Sequence, residues 1–239
     1  MAVQTVAAPL SGRFRVRVTA RSGGVLVTAA DSSHLSVEAG PRAAIAVEEG
    51  DADRPTAVEV TSSSNRVEIT CPPGTDVVVG NSSGKVRFEG TLGHVRVTSR
   101  SGSVEIEDAV SVDVRSGSGR VIVESCEGQC RVMSRSGSIE VGRVGSLDAA
   151  VKSGRLAVDQ VGKARVYSGS GSVELGATGE GDLEIRVMSG SVKVDVPAGA
   201  RPDLRAKARS GRVRCDCEEG DDFVVDVATH SGAVTVQPS

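Results

Sequence analysis

Three histidines, five cysteines and two acidic corners are the residues of this chain with the most chemistry to offer. A general base needs a nucleophile within reach and a third group to orient it. His94 and His230 sit on outward positions beside corners, His34 lies in a less regular stretch, and no G-x-S-x-G elbow accompanies them. Cys126 and Cys130 flank Gly128, a spacing that could close a disulfide or offer two thiolates to a metal. No second Cys or His pair completes a zinc site. Cys71, Cys130, Cys215 and Cys217 occupy alternate, inward positions, which suits thiols used as small hydrophobes, whereas Cys126 reads as a corner residue. Glu180-Gly181-Asp182 and Glu218-Glu219-Gly220-Asp221-Asp222 carry oxygens for calcium but match neither the EF-hand loop nor the calcium nonapeptide, so they read as solvated turns. The Ser-Gly-Ser-Gly runs at 116–119 and 168–171 share only glycine with phosphate loops, because no helix and no Gly-Lys-Ser/Thr follow. The expectation is a non-enzyme with no catalytic residue, no cofactor and no metal site.

The elements that carry these residues are set by one recurring phrase. It is Ser-Gly, any residue, an aliphatic, any residue, and a second aliphatic. The corners are Ser83-Gly84, Ser101-Gly102, Ser118-Gly119, Ser136-Gly137, Ser153-Gly154, Ser170-Gly171, Ser189-Gly190, Ser210-Gly211 and Ser231-Gly232. Around Ser101, Val95 and Val97 precede the turn and Val104 and Ile106 follow it. Around Ser136 the set is Cys130, Val132, Ile139 and Val141; around Ser170 it is Ala164, Val166, Val173 and Leu175. This period-two alternation is the pattern of a strand with one buried face. Arg96, Glu105, Asp113, Arg131, Glu140, Glu174, Arg186 and Lys193 fall between and face outward. Gly93, Gly128, Gly145, Gly162 and Gly181 mark a second corner before most of these serines. Ser99, Ser116, Ser134, Ser168 and Thr229 recur at one inward position, where stacking predicts a hydroxyl ladder.

Composition agrees with many short strands. Aromatics are 2% of residues, with no Trp, so the core must be built from small aliphatics, mainly valine. Twenty-nine glycines supply the turns. A net charge of −3 with interspersed signs gives no basic footprint for nucleic acid. No apolar run reaches transmembrane length, and residues 1–11 lack the layout of a signal peptide. Five cysteines suit a reducing compartment, so cytoplasm is expected, with an envelope-associated location as the alternative if a leader has been removed.

The N-terminal third follows the register more loosely. Val16 and Val18 lead to Ser22-Gly23, then Val25 and Val27; Val58 and Val60 lead to Ser64-Asn65, then Val67 and Ile69. Residues 35–47 break register around Gly40-Pro41-Arg42, and 49–56 read as a surface loop. One domain over 1–239 is expected, with irregular coils at 1–57 and regular repeats at 58–239. Its class is all-β: a single-stranded parallel β-helix or solenoid with roughly 17–21 residues per coil. An antiparallel meander or prism is the alternative, since residues beside a hairpin turn also share a face. The recurring hydroxyl position and a repeat close to known β-helix rungs favour the solenoid.

The runs Val77-Val-Val-Gly80-Asn-Ser-Ser-Gly84-Lys-Val and Val95-Arg-Val-Thr-Ser-Arg-Ser-Gly102-Ser-Val resemble the bacterial "putative adhesin" family of domains of unknown function. The likeness covers nearly the whole chain, best from about residue 58. It implies a β-helical solenoid, and the adhesin name implies a protein-binding surface at the cell envelope. Bactofilins, polymerising cytoskeletal β-helices, are a more distant architectural analogue.

Three functions follow as expectations. The first is a structural scaffold that self-assembles into a homo-oligomer or filament through uncapped ends. Neither terminus carries a capping helix, and the chain closes on Val234-Thr-Val236-Gln-Pro-Ser, with Pro238 as an edge blocker. The second is an adhesin-like or regulatory protein-binding module using a charged face. The third, a lyase of the β-helix type, lacks the long loops that would build a groove.

Overall fold

The computed structural model describes residues 2–7, 14–31, 34–48 and 56–239. The loop expected at 49–56 falls outside these residues, apart from Thr56. Among the described residues every regular element is a strand: β1 Ala2–Ala7, β2 Phe14–Ser22, β3 Val25–Ala29, β4 His34–Ala39, β5 Ala44–Glu48, β6 Thr56–Ser62, β7 Val67–Cys71, β8 Asp76–Ala177, β9 Leu183–Val196, β10 Asp203–Cys215 and β11 Val224–Pro238. The fold is all-β and solenoid-like. The chain forms two compact units, residues 1–125 and 126–239.

In the first unit, valines at alternate positions turn inward and stack. Val16 lies between Val58 and Val77, and Val25 between Val67 and Val86, all in parallel register. These side chains are buried, at most 2% exposed, and a buried valine contributes about 1.5–3 kcal/mol over an exposed one. The coil at 14–29 therefore sits between those at 56–71 and 76–89, so coil order in space departs from order in sequence. The break in register at Gly40 has a concrete cause. Gly40 accepts the Ala43 backbone N–H at 2.9 Å, and the chain then runs back. The β4 strand pairs antiparallel with β7, β1 with β4, and β5 with β6. Parallel coils are thus flanked by antiparallel strands, where irregular solenoid coils were expected.

The second unit repeats the exchange. Leu183 of β9 pairs with Ala164 on one side and with Val225 of β11 on the other, and Val225 pairs in turn with Leu204 of β10. The order in space is β8, β9, β11, β10. Val234 and Val236 were expected on an uncapped terminal rung with Pro238 guarding its edge. They are instead paired on both sides, to Val192 and Val194 and to Val213 and Cys215. Among the described residues the end coil of this unit is β10.

Each unit also has buried residues on a third side. Leu92 and Ala109 belong to the first, and Cys126, Val144 and Val161 to the second, each at most 3% exposed. Cys126, expected at a corner, is therefore an inward residue. Its spacing of 17 or 18 from its equivalents was readable, but only one apolar residue per coil marks this side, so no alternation drew notice.

Candidate functional site

The Ser-Gly corners are built from one conformation. Gly84, Gly102, Gly119, Gly137, Gly154, Gly171, Gly190, Gly211 and Gly232 all have φ between +119° and +154°, a region that L side chains rarely adopt. The coils also approach closely there. A Cβ on Gly190 would overlap the carbonyl oxygen of Gly171, and one on Gly171 that of Gly154. The corner serines tie coil to coil: Ser83 Oγ donates to Arg21 O at 3.4 Å, Ser101 to Ser82 O at 3.3 Å and Ser153 to Arg135 O at 3.4 Å. Ser118, Ser136, Ser170, Ser189, Ser210 and Ser231 hold the equivalent corner positions. The inward serines bond within their own coil, where a ladder between coils was expected. Ser99, Ser116 and Ser134 donate to the carbonyls of Ser101, Ser118 and Ser136 at 3.2–3.4 Å. The hydroxyls of Ser168 and Thr229 are buried without a partner.

The residues with catalytic potential do not assemble. The His94 ring Nδ1 meets Ser111 Oγ, a nucleophile–base contact in outline. Asp76, however, accepts the backbone N–H of His94 at 2.9 Å rather than orienting its imidazole, and all of this lies at the exposed surface. His230 is exposed, and the His34 side chain lies outside the described residues. The acidic corners hold backbone: Asp182 Oδ1 accepts Val224 N–H at 3.0 Å and Asp222 Oδ2 accepts Arg201 N–H at 2.8 Å. Among the described residues, no group of three or more His, Cys, Asp or Glu is placed to hold a metal ion.

The five cysteines carry thiols. Cys71, Cys126 and Cys130 are buried. Burial pushes Cys71 up to about 11, and a hydrogen bond with Cys126 together with burial raises Cys130 well above the usual thiol range. Cys215 and Cys217, expected in the core, are only half-buried, because they close the end coil. Burial and the adjoining Cys215 push Cys217 up to about 11. Cys71, Cys130 and Cys217 are therefore not the low-pKa thiolates of reactive cysteines.

What remains distinctive is charge on the outward faces. Carboxylates and cations join neighbouring coils: Lys85–Glu105 at 2.8 Å and Arg96–Asp113 at 3.3 Å in the first unit, Arg131–Asp148 at 3.0 Å, Arg155–Glu174 at 2.7 Å and Arg165–Glu184 at 3.1 Å in the second. Arg186 and Asp226 form a two-pronged pair at 2.9 and 2.8 Å. Its hydrogen bond holds the Asp226 carboxyl below the usual carboxylate range. The β10 coil ends this ladder. Among the described residues only β11 pairs with it, so one row of its backbone groups has no strand beside it. Along it stand Arg205, Lys207, Arg209, Arg212 and Arg214. Its inward residues Leu204, Ala206 and Ala208 are half-exposed, and Val213 is 40% exposed. Sequence reasoning missed this surface, though the run of alternate cations was its signal.

The chain is similar to proteins of known structure. A crystal structure of a "putative adhesin" from Bacteroides fragilis is 15% identical, with a TM-score of 0.52 over 100% of this chain and 96% of that one. A "putative cell adhesion protein" from Clostridium sporogenes is 10% identical and aligns over 100% of this chain and 98% of that one, with a TM-score of 0.27. No curated protein matches the sequence. The model of the Toastrack DUF4097 family matches residues 15–238. The chain belongs to that family, a domain of unknown function.

Proposed function

We propose that this chain is a non-enzymatic scaffold whose work is to bind other protein chains at the open coil β10. The observation that carries the reading is the edge itself: a long, regular strand, paired among the described residues on one side only, over a half-exposed apolar row. Such an edge takes an added strand by main-chain hydrogen bonding. The scattered catalytic groups and raised thiol pKa values favour binding over chemistry. The adhesin-like names of the structural relatives accord with a binding role, and five thiols accord with a cytoplasmic location. Panning random peptides against the protein tests the reading. Enriched peptides should slow amide hydrogen exchange in residues 203–215. Enriched peptides that leave this segment unprotected, or a failure to enrich any, contradict it.

A self-assembling scaffold is the second reading, favoured by the one-sided pairing of β1, β5 and β10 among the described residues. It predicts sedimentation that rises with concentration and filaments or closed oligomers in electron micrographs. A strictly monomeric species at high concentration removes it.

A further inference from the structure

We propose that the strand taken up at β10 is an extended, acidic segment of another protein, with carboxylates at alternate residues. This rests on the strand-binding reading of β10 and names the chemistry of its partner. The outward columns of the second unit specify the charge. Arg165, Glu184, Asp226 and Arg205 stack in that order through four coils. Ion pairs join the first to the second at 3.1 Å, while Asp226 is held by Arg186 of the next column. Beside it, Tyr167, Arg186, Ala228 and Lys207 form a second column. Beyond the corner, Glu174, Lys193, Thr235 and Arg214 form a third, and on a fourth line Ser172 pairs with Ser191 and Ala233 with Arg212. All four columns end on a cation at the open edge.

Among the described residues each of those cations has a coil on one side only. Asp203 holds Arg205 at 2.7 Å and Asp216 holds Arg214 at 2.9 Å, and Asp226 of β11 also attracts Arg205 and Lys207, so cations outnumber the carboxylates on β10 itself. The next strand of the stack would place its outward side chains against Arg205 and Lys207 before the corner and against Arg212 and Arg214 after it. Because side chains alternate along a strand, carboxylates at every second residue meet this row. A second copy of β10 would bring cations against cations in either direction, which disfavours that pairing. Charge here selects the partner, while the backbone ladder holds it.

The test uses the full chain and three short fluorescent peptides in which Thr alternates with Glu, with Gln or with Lys, plus a single-stranded DNA oligonucleotide. Fluorescence anisotropy and amide exchange are read together. The Glu peptide should bind about tenfold tighter than the Gln peptide, weaken as salt is raised, and protect residues 203–215. Arg205→Glu with Arg212→Glu, both at exposed positions, should reverse the preference toward the Lys peptide. If the Gln peptide binds as tightly and protects the same amides, β10 binds strands without regard to charge: the inference falls and the strand-binding reading stands. If no peptide protects 203–215, both fall. If the oligonucleotide binds as tightly as the Glu peptide, the row is a general anion surface and the inference is overturned.

Discussion

At the scale of single residues, the corner glycines and the ion ladder make opposite kinds of contribution. Gly190 combines φ of +138° with a backbone oxygen where its Cβ would stand. Gly190→Ala should cost at least about 1–3 kcal/mol from the backbone alone, measured by urea unfolding, whereas Ser191→Ala beside it, at an exposed outward position, should change little. The Arg186–Asp226 pair stabilises through a carboxyl whose folded pKa is depressed. Its contribution is present above the unfolded carboxyl value of about 3.9 and is lost as pH falls through the lower folded value. Side chains here are more than a third exposed, so solvent screening holds the effect to under about 1 kcal/mol. Asp226→Asn should lower stability at neutral pH and converge with the wild type in acid. A gap that persists in acid would mean that packing, not charge, holds the pair.

At the scale of elements, the sequence was informative about faces and silent about neighbours. Val95, Val97, Val104 and Ile106 announce which way each strand turns, and all are buried. The identity of the coil stacked on the next is not written in that pattern, since every coil offers the same register of valines to any other. The crossed orders 56–71, 14–29, 76–89 and β9, β11, β10 were therefore illegible, as was the antiparallel flank of β1, β4 and β5. The candidate site suffered the same blindness: the cations of β10 were plain, but not that β10 is the end coil. A matched pair of substitutions reads this order directly. Val213 and Val234 stand opposite each other in adjacent coils, 40% and 1% exposed. Val234→Ala should cost about 2 kcal/mol and Val213→Ala well under half of that. The reverse ranking would place Val234 at the end of the stack.

At the scale of the whole molecule, we propose that the chain is one folding domain, because the extended run Asp76–Ala177 belongs to both compact units. It should unfold in a single calorimetric transition, and two resolved transitions would contradict this. The central claim concerns where the molecule is open. A solenoid read in sequence order ends on β11; this fold ends its second unit on β10. Amide hydrogen exchange of the unliganded protein, resolved by peptide, decides between them. The account predicts that residues 203–215 exchange markedly faster than residues 224–238, whose strand is paired on both sides. Slow exchange across 203–215 together with fast exchange across 224–238 would contradict it, and the strand-binding function would go with it.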